Sequence, residues 1–291
     1  MLDTPLVTVW IPTFNRKELL ERALLSVLNQ DYQNIEIFIV DNGSVDGTSE
    51  LVNNYIQKNN KIVYHRFDSN KGACAARNYA IINASGDLVT GLDDDDEFLP
   101  GRVSQLVKAY DEKYAFVCTG YYWDYGTYRK AKIDNQLEIN LSCQLNYNQA
   151  SNQVLVSKKR IIDAGLFDES LISCQDWDMW TRLIIQYGVG LRVAKTSYVV
   201  HTAHDKPRIT GIASNRLKGL KQFYTKHQHL MTKQNQKCFN FLYFYNTEKK
   251  LGFIHFFKFF CWPIKDQVIR YLIASYFPKL AKKRLARLRN K

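Results

Sequence analysis

Residues 88–97 read LVTGLDDDDE, a short apolar run that drives straight into Asp93, Asp94, Asp95, Asp96 and Glu97. Upstream, three more β-type runs stand at residues 6–11 (LVTVWI), 35–40 (IEIFIV) and 61–67 (KIVYHRF). Between the first two, Leu19, Leu20, Ala23, Leu24, Val27 and Leu28 fall at helical spacing. Asn15 stands where an N-cap would, with Glu18 three residues on. A second helical stretch follows Asp46 and Thr48, and a third, small and Ala-rich, spans residues 72–83. Strands alternating with helices predict βαβ units and a parallel sheet, hence an α/β fold. In such sheets ligands lie beyond the carboxyl ends of the strands. Each of the four runs ends there in polar residues: Pro12-Thr13, Asp41-Asn42, Asp68-Ser69-Asn70 and the acids from Asp93.

Downstream, strands are expected at 114–119, 153–157 and 191–200, and helices at 158–164 and 177–188; residues 121–153 read as irregular and polar. The chain has 291 residues, enough for one or two domains, and at 46% hydrophobic it forms a packed core. Its net charge of +12 is unevenly spread. Residues 1–205 carry 20 basic and 26 acidic side chains, whereas residues 206–291 carry 20 basic and 2 acidic. That split excludes a uniformly basic nucleic-acid coat, and no nucleic-acid partner is expected. The N-terminus has no basic segment and its apolar run stops at Pro12, so no signal peptide is expected. No stretch reaches the ~18 uninterrupted apolar residues of a membrane span. Six cysteines without a CxxC pair predict reduced thiols in a cytoplasmic protein.

Like charges clustered at a sheet edge cost stability unless a cation compensates them. Oxygen-only ligands select hard ions such as Mg²⁺ or Mn²⁺, which combine a few carboxylates with substrate phosphates. A divalent-metal diphosphate site is therefore expected at the acids, against the plainer alternative of a solvated turn. Asp41 opens Asp-Asn-Gly-Ser and either closes its strand as an Asx-turn or accepts a hydrogen bond from a ligand N–H. Arg77, in the small-residue helix, is either a surface cation or a partner for a phosphate or base.

Taken in order, the motifs carry a resemblance. They are Pro12-Thr13-Phe14-Asn15-Arg16, Ser26-Val27-Leu28-Asn29-Gln30, and Ile39-Val40-Asp41-Asn42-Gly43-Ser44 with Asp46-Gly47-Thr48. Asn70-Lys71-Gly72 with Ala76-Arg77-Asn78 follows, then Gly86-Asp87 leading through Leu92 to Asp96 and Pro100. Together they resemble the start of family 2 glycosyltransferases, strongly over residues 5–100 and more weakly to about 210. The resemblance implies a GT-A fold, a Rossmann-like mixed sheet flanked by helices that binds a nucleotide sugar, and usually an inverting mechanism. Residues 1–210 would be the catalytic domain, with 1–100 the nucleotide-sugar half and 101–210 the acceptor half. Residues 211–291 would be a helical, basic and aromatic extension for membrane association.

By position, the resemblance implies a sugar-donor pocket containing Pro12, Thr13, Phe14, Arg16, Asn42 and Gly72. Thr13 and Phe14 would line the uridine pocket, Asp41 would hold the uracil N–H, and Arg77 would reach the base or phosphates. Asp93 and Asp95 fill the two acidic places of the family's Asp-x-Asp motif. Asp95 is then the direct metal ligand, Asp93 sits nearer the ribose and beside the metal, and Asp94 takes the variable middle place. Asp96 stands either behind the ligands or against the acceptor sugar.

Gln175-Asp176-Trp177-Asp178 resembles the family's acidic pair at the start of an acceptor-side helix. That pair is usually Glu-Asp, so Gln175 is a departure. Asp176 is retained and is the implied catalytic base, with a helix cap as the alternative role and Asp178 as the alternative base. His204, ahead of His201, is implied as a further metal ligand or diphosphate contact, with Lys206 and Arg208 beside the diphosphate. Trp123 and Trp177, with Tyr121 and Tyr122, are candidates for stacking on an acceptor sugar.

In the tail, Phe253, Ile254, Phe256, Phe257, Phe259 and Phe260 are too many for a free surface. With Lys279, Lys282, Lys283, Arg284, Arg287, Arg289 and Lys291 they predict contact with an anionic membrane surface. The combined expectation is a Mn²⁺- or Mg²⁺-dependent inverting hexosyltransferase, peripheral on the inner face of the cell membrane. It would move a glucose- or galactose-type sugar from UDP to a saccharide on a polyprenyl diphosphate lipid, in O-antigen, capsule or lipopolysaccharide synthesis. The alternatives are a soluble or protein acceptor, a catalytically silent nucleotide-sugar-binding protein, and a nucleotidyltransferase.

Overall fold

The computed structural model describes residues 4–133, 135–150, 153–203, 213–247 and 249–279. Its first sheet is centred on β1 (Val7–Thr13), which runs parallel between β2 (Ile35–Asp41) and β4 (Leu88–Gly91). The parallel strand β3 (Ile62–Arg66) extends it beyond β2, and the short antiparallel β9 (Val156–Ser157) closes it beyond β4. Every residue of β1 is buried, because helices cover both faces of the sheet. Side chains alternate between the faces with period two. Val9, Ile11, Ile37 and Ile39 pack against α1 (Lys17–Leu28), α2 (Thr48–Ile56) and α4 (Arg102–Ala109). Trp10, Phe38 and Val40 pack against α3 (Ala73–Asn83), α6 (Lys158–Asp163) and α7 (Gln175–Tyr187).

The start of α1 differs from the expected cap. Asn15 adopts a left-handed backbone at φ 53°, and its side-chain oxygen accepts from the Val45 N–H at 2.8 Å. The first helical N–H, that of Lys17, donates instead to the Asp46 carboxylate at 3.0 Å. Parallel neighbours bring their carboxyl-end loops together, so a carboxylate 29 residues away does the capping.

A second sheet has the order β5-β10-β6-β7, formed by β5 (Glu97–Phe98), β10 (Gly190–His201), β6 (Val117–Asp124) and β7 (Arg129–Ile133). The strand β8 (Leu137–Ile139) also pairs with β10, and α5 (Leu141–Asn146) follows it. The stretch 121–153 is therefore not irregular throughout. Its strands escaped the sequence reading because β7 lies at a sheet edge and reads RKAKI, with two of its residues charged lysines where an apolar side chain would mark a core-facing strand. The sheets are joined by the Arg102 guanidinium, which donates to Thr119 Oγ1 at 2.6 Å and to the Gln153 carbonyl at 3.2 Å. It lies over the rings of Phe98 and Tyr198, and burial pushes its pKa down to about 10.

Beyond β10, α8 (Ala213–His227) and α9 (Lys233–Asn246) pack on α5 and α7 through Leu145, Trp177, Leu220, Phe223 and Phe239. Then α10 (Phe253–Phe259) and α11 (Lys265–Tyr276) close on α9 around Phe241, Phe259 and Val268. Of the tail aromatics, Phe259 is buried and Phe256 half-buried, whereas Phe253, Ile254, Phe257 and Trp262 are 61–85% exposed. Among the described residues no helix is long and apolar enough to cross a membrane. Basic residues of the tail from 280 onward lie outside the described residues.

Candidate active site

A cavity of about 530 Å³ opens at the carboxyl ends of β1 and β4, between the two sheets and the start of α7. Pro12, Thr13, Phe14 and Arg16 line it from β1 and its loop, Asn42 and Gly72 from the next two loops, and Arg77 from α3. Asp93, Asp94, Asp95 and Asp96 form its floor. Trp123 comes from β6 and Asp176 from α7. Residues from both sheets and α7 thus meet in one cleft, whose nucleotide half lies at the carboxyl ends of the parallel strands.

The acids are neutralised in pairs. Arg16 bonds Asp94 at 2.8 Å and reaches Asp95 at 3.3 Å. The Thr13 hydroxyl donates to the other Asp94 oxygen at 2.9 Å. Burial nevertheless pushes the Asp94 carboxyl up to about 6, against the pull of Arg16. Arg77 donates to Asp93 at 2.9 Å and to the side-chain oxygen of Gln175 at 3.0 Å. Gln175 in turn donates to the Leu171 carbonyl at 2.8 Å. A residue that must both accept from an arginine and donate to a carbonyl suits an amide and not a carboxylate, which accounts for Gln175 in place of the family's usual Glu.

Asp176 lies in the first turn of α7 but does not cap it; the N-cap is Cys174, with a left-handed backbone. One Asp176 oxygen accepts from the Asn148 amide at 2.9 Å. Burial raises its carboxyl to about 6, opposed by the Trp177 N–H and Arg77 and assisted by the Asp93 charge. Asp178, the alternative base, is fully buried and held by Arg182 at 2.9 Å, Lys226 at 3.0 Å and His227 at 2.7 Å, so it has no access to a substrate.

Two expected contacts differ, those of Asp41 and Trp177, while Asp96 takes the place behind the ligands. Asp41 is fully buried, and its oxygens accept from the Ser44 N–H and the Tyr64 hydroxyl, both at 2.8 Å. It supports the pocket wall from behind and presents no carboxylate edge to a base. Asp96 accepts from the Tyr198 hydroxyl at 2.9 Å and the His201 N–H at 3.2 Å, tying the acidic loop to β10. Trp177 is core: its indole stacks on Phe223 at 4.0 Å and donates to the Gln144 carbonyl at 2.7 Å. Trp177→Ala is accordingly expected to destabilise the protein by about 3–5 kcal/mol, read by urea or thermal unfolding; a variant of unchanged stability would return Trp177 to the surface. His201 bonds Glu97 at 3.0 Å and approaches Asp124 at 3.5 Å. His204, Lys206 and Arg208 lie outside the described residues.

Gln153 and Asn148 escaped the sequence reading, since isolated amides in a polar stretch carry no spacing signal. Gln153 donates to Asp93 at 3.2 Å, while its side-chain oxygen is buried without a partner. Gly91 makes room for it: a Cβ there would sit 2.2 Å from that oxygen and 2.4 Å from the Trp10 ring. Among the described residues no three His, Cys, Asp or Glu side chains converge into a ready-made metal cage. Asp95 and Asp93 instead offer carboxylates at the cavity surface. An all-oxygen set of this size fits a hard divalent cation whose remaining ligands come from substrate and water.

A parallel α/β sheet joined to a mixed one, with an acidic cleft at the strand ends, is the architecture of a GT-A glycosyltransferase. The sequence model of Glycosyl transferase family 2 matches residues 8–169, and the chain belongs to that family of glycosyltransferases. It is 34% identical over 249 residues to an Escherichia coli (strain K12) protein ascribed to colanic acid biosynthesis as the glycosyl transferase WcaA, covering 81% of this chain and 86% of that one. It is 41% identical over 114 residues to the GalNAc(5)-diNAcBac-PP-undecaprenol beta-1,3-glucosyltransferase of Campylobacter jejuni, covering 39% and 37%. The structure of S. aureus TarS 1-349 in complex with UDP-GlcNAc superposes with a TM-score of 0.65 at 17% identity, over 94% of this chain and 72% of that one. The mannosyltransferase PcManGT from Pyrobaculum calidifontis, in complex with GDP-Man and Mn²⁺, does so at 0.61 and 17%, over 98% and 81%.

Proposed function

We propose that this glycosyltransferase inverts configuration while moving a glucose- or galactose-type sugar from UDP to a saccharide on a polyprenyl diphosphate lipid. The pathway would be O-antigen, capsule or lipopolysaccharide assembly. The observation that carries the reaction is Asp176, a carboxyl raised to about 6 that lines the same cavity as Asp93 and Asp95. It is ionised at neutral pH yet more basic than a free carboxylate, which suits it to take the acceptor hydroxyl proton. As that oxygen bonds to the anomeric carbon, the bond to the β-phosphate oxygen breaks on the opposite face. The electron pair leaves with the nucleoside diphosphate, and the configuration inverts.

Pro12, Thr13, Phe14, Asn42 and Gly72 would form the nucleotide wall. Arg77 holds Asp93 and Gln175 in place, and Asn148 orients the base. Asp95 with Asp93 would hold Mn²⁺ or Mg²⁺, whose charge offsets that of the leaving diphosphate. Trp123 is the candidate platform for the acceptor sugar. The UDP donor draws support from the TarS complex, and the acceptor class from the name of the Campylobacter relative. A screen of UDP- and GDP-sugars for nucleotide release, with and without Mn²⁺, tests the reading. UDP release from one UDP-sugar is expected. No turnover of any donor would favour a silent binding protein, and nucleotide-sugar formation from a nucleoside triphosphate would favour a nucleotidyltransferase.

Residues 211–291 would seat the enzyme on the inner face of the cell membrane through the exposed side of α10 and Trp262. Phe257→Glu with Trp262→Glu is expected to weaken binding to phosphatidylglycerol vesicles by about 10²–10⁴-fold, each lost apolar side chain contributing ~1.5–3 kcal/mol. Donor hydrolysis should be retained. Unchanged co-sedimentation would remove this role.

A further inference from the structure

Behind the cleft, a chain of hydrogen bonds runs from β10 to Asp176. On β10, Arg192 donates to the Gln149 carbonyl at 2.9 Å and to the Gln149 side-chain oxygen at 3.1 Å. The Gln149 backbone N–H donates to the side-chain oxygen of Gln144 at 3.1 Å. The Gln144 amide nitrogen donates to the Asn148 side-chain oxygen at 3.1 Å, and the Asn148 nitrogen donates to Asp176 at 2.9 Å. Gln144, in α5, is fully buried, and Gln149 and Arg192 are buried with it.

The direction of this chain is set at its origin. A backbone N–H can only donate, so the Gln149 N–H fixes which end of the Gln144 amide is the oxygen. The nitrogen end then faces Asn148, which must answer with its own oxygen. That leaves the Asn148 nitrogen for Asp176. Reversing either amide would set oxygen against oxygen or N–H against N–H, and polar groups left unsatisfied inside a protein are costly. An N–H at the end of the chain favours the ionised carboxylate. Gln144 also holds the next residue of α7, because its carbonyl accepts from the Trp177 indole N–H at 2.7 Å. One buried glutamine thus reaches two adjacent positions at the start of α7.

We propose that Gln144 is a positioning residue for the base: it locks the Asn148 amide so that an N–H, and not an oxygen, meets Asp176, and it anchors α7 through Trp177. The inference rests on Asp176 as the base and adds what fixes its orientation. The other charged and titratable groups around Asp176 are Arg77, Asp93, Tyr121 and Cys174. None of them bonds to Gln144 among the described residues.

The test uses the full chain, free of metal and nucleotide and labelled with ¹³C-aspartate. The carboxyl carbon of Asp176, assigned by its absence in Asp176→Asn, is titrated by NMR from its wild-type value of about 6. Asn148→Leu should raise that value by about one pH unit or more, the worth of a hydrogen bond to a charged group. Gln144→Met keeps the length of the side chain without its donor, and should raise it by about half a pH unit or more. Added to Asn148→Leu, Gln144→Met should raise it no further, since its effect passes through Asn148. A second reading leaves Gln144 intact and needs only the wild type. There the Gln144 side-chain ¹⁵N resonance should titrate with the same midpoint as Asp176. An Asp176 carboxyl unmoved in Gln144→Met, an equal effect with and without Asn148, or a Gln144 resonance blind to pH across that midpoint would overturn the lock. In turnover, read as UDP release, Gln144→Met should move the acid limb of the rate upward with the carboxyl and leave UDP affinity unchanged. A carboxyl that moves while the rate keeps its limb would leave the lock standing and remove Asp176 as the base.

Discussion

Asp176→Asn is expected to cut sugar transfer by about 10²–10⁴-fold, the usual contribution of a positioned general base, and to raise the melting temperature at pH 8. The two effects share one cause. Burial lifts the folded carboxyl to about 6 from the ordinary 3.8. Between those values the folded state binds more protons than the unfolded chain, so stability falls as pH rises through that window. At pH 8 the whole penalty of holding a buried anion is present, and a neutral amide removes it. Asn can still accept from Asn148 through its side-chain oxygen, so the contact at 2.9 Å survives. Each kcal/mol so regained should appear as roughly 2–4 °C in a chain of this size. The wild-type rate should also fall about tenfold per pH unit below about 6, as the base is protonated. Stopped-assay UDP release and calorimetric melting of the two proteins check both halves. A variant with wild-type turnover would assign the proton to another group, and one that melts lower at pH 8 would mean that the charge is compensated.

Asp95→Ala is expected to abolish transfer with every donor, by about 10³-fold or more if it removes electrostatic stabilisation of the leaving diphosphate. It should also weaken Mn²⁺ binding in the presence of UDP, read independently by the electron paramagnetic resonance signal of free Mn²⁺. Asp95 lies at the cavity surface, and Arg16 retains its shorter bond to Asp94 at 2.8 Å, so the fold should persist. Asp94→Asn is the useful contrast. Asp94 is buried and already engaged by Thr13 and Arg16, so its loss should spare Mn²⁺ binding. If Asp95→Ala keeps its metal dependence while Asp94→Asn loses it, the middle aspartate is the ligand and the motif has been read one place out of register.

The half of the fold that holds the nucleotide was legible because its physics is local. Each buried parallel strand must be mostly apolar, as VTVWIPT and IEIFIVD are, and each must end abruptly at a polar loop. Pro12, Thr13 and the four aspartates fall at one edge on that pattern, and the family resemblance added Arg16 and Arg77. The acceptor half resisted reading for the opposite reason. Its edge strand RKAKI carries lysines in its interior, so no hydrophobic period marks it. Trp177 shows the same limit at the level of one residue. Next to Asp176 in sequence, it turns away from the cavity because one step along a helix is about 100° around it, and Phe223 arrives from 46 residues downstream to cover it.

By itself, then, the sequence determined the parallel α/β scaffold, the acidic edge where a diphosphate would be met, and Asp176 as the candidate base. The first two follow from spacing along one chain, and the third from the resemblance of Gln175-Asp176 to the family's acidic pair. Only the tertiary structure decided which charges are free and which are spent. Asp41 and Asp178 are consumed by partners 23 and 49 residues away, Gln175 is an amide because it must serve Arg77 and Leu171 at once, and Lys132 meets Trp123 across a hairpin. The availability of a side chain depends on what surrounds it in space, and a one-dimensional pattern does not carry that information.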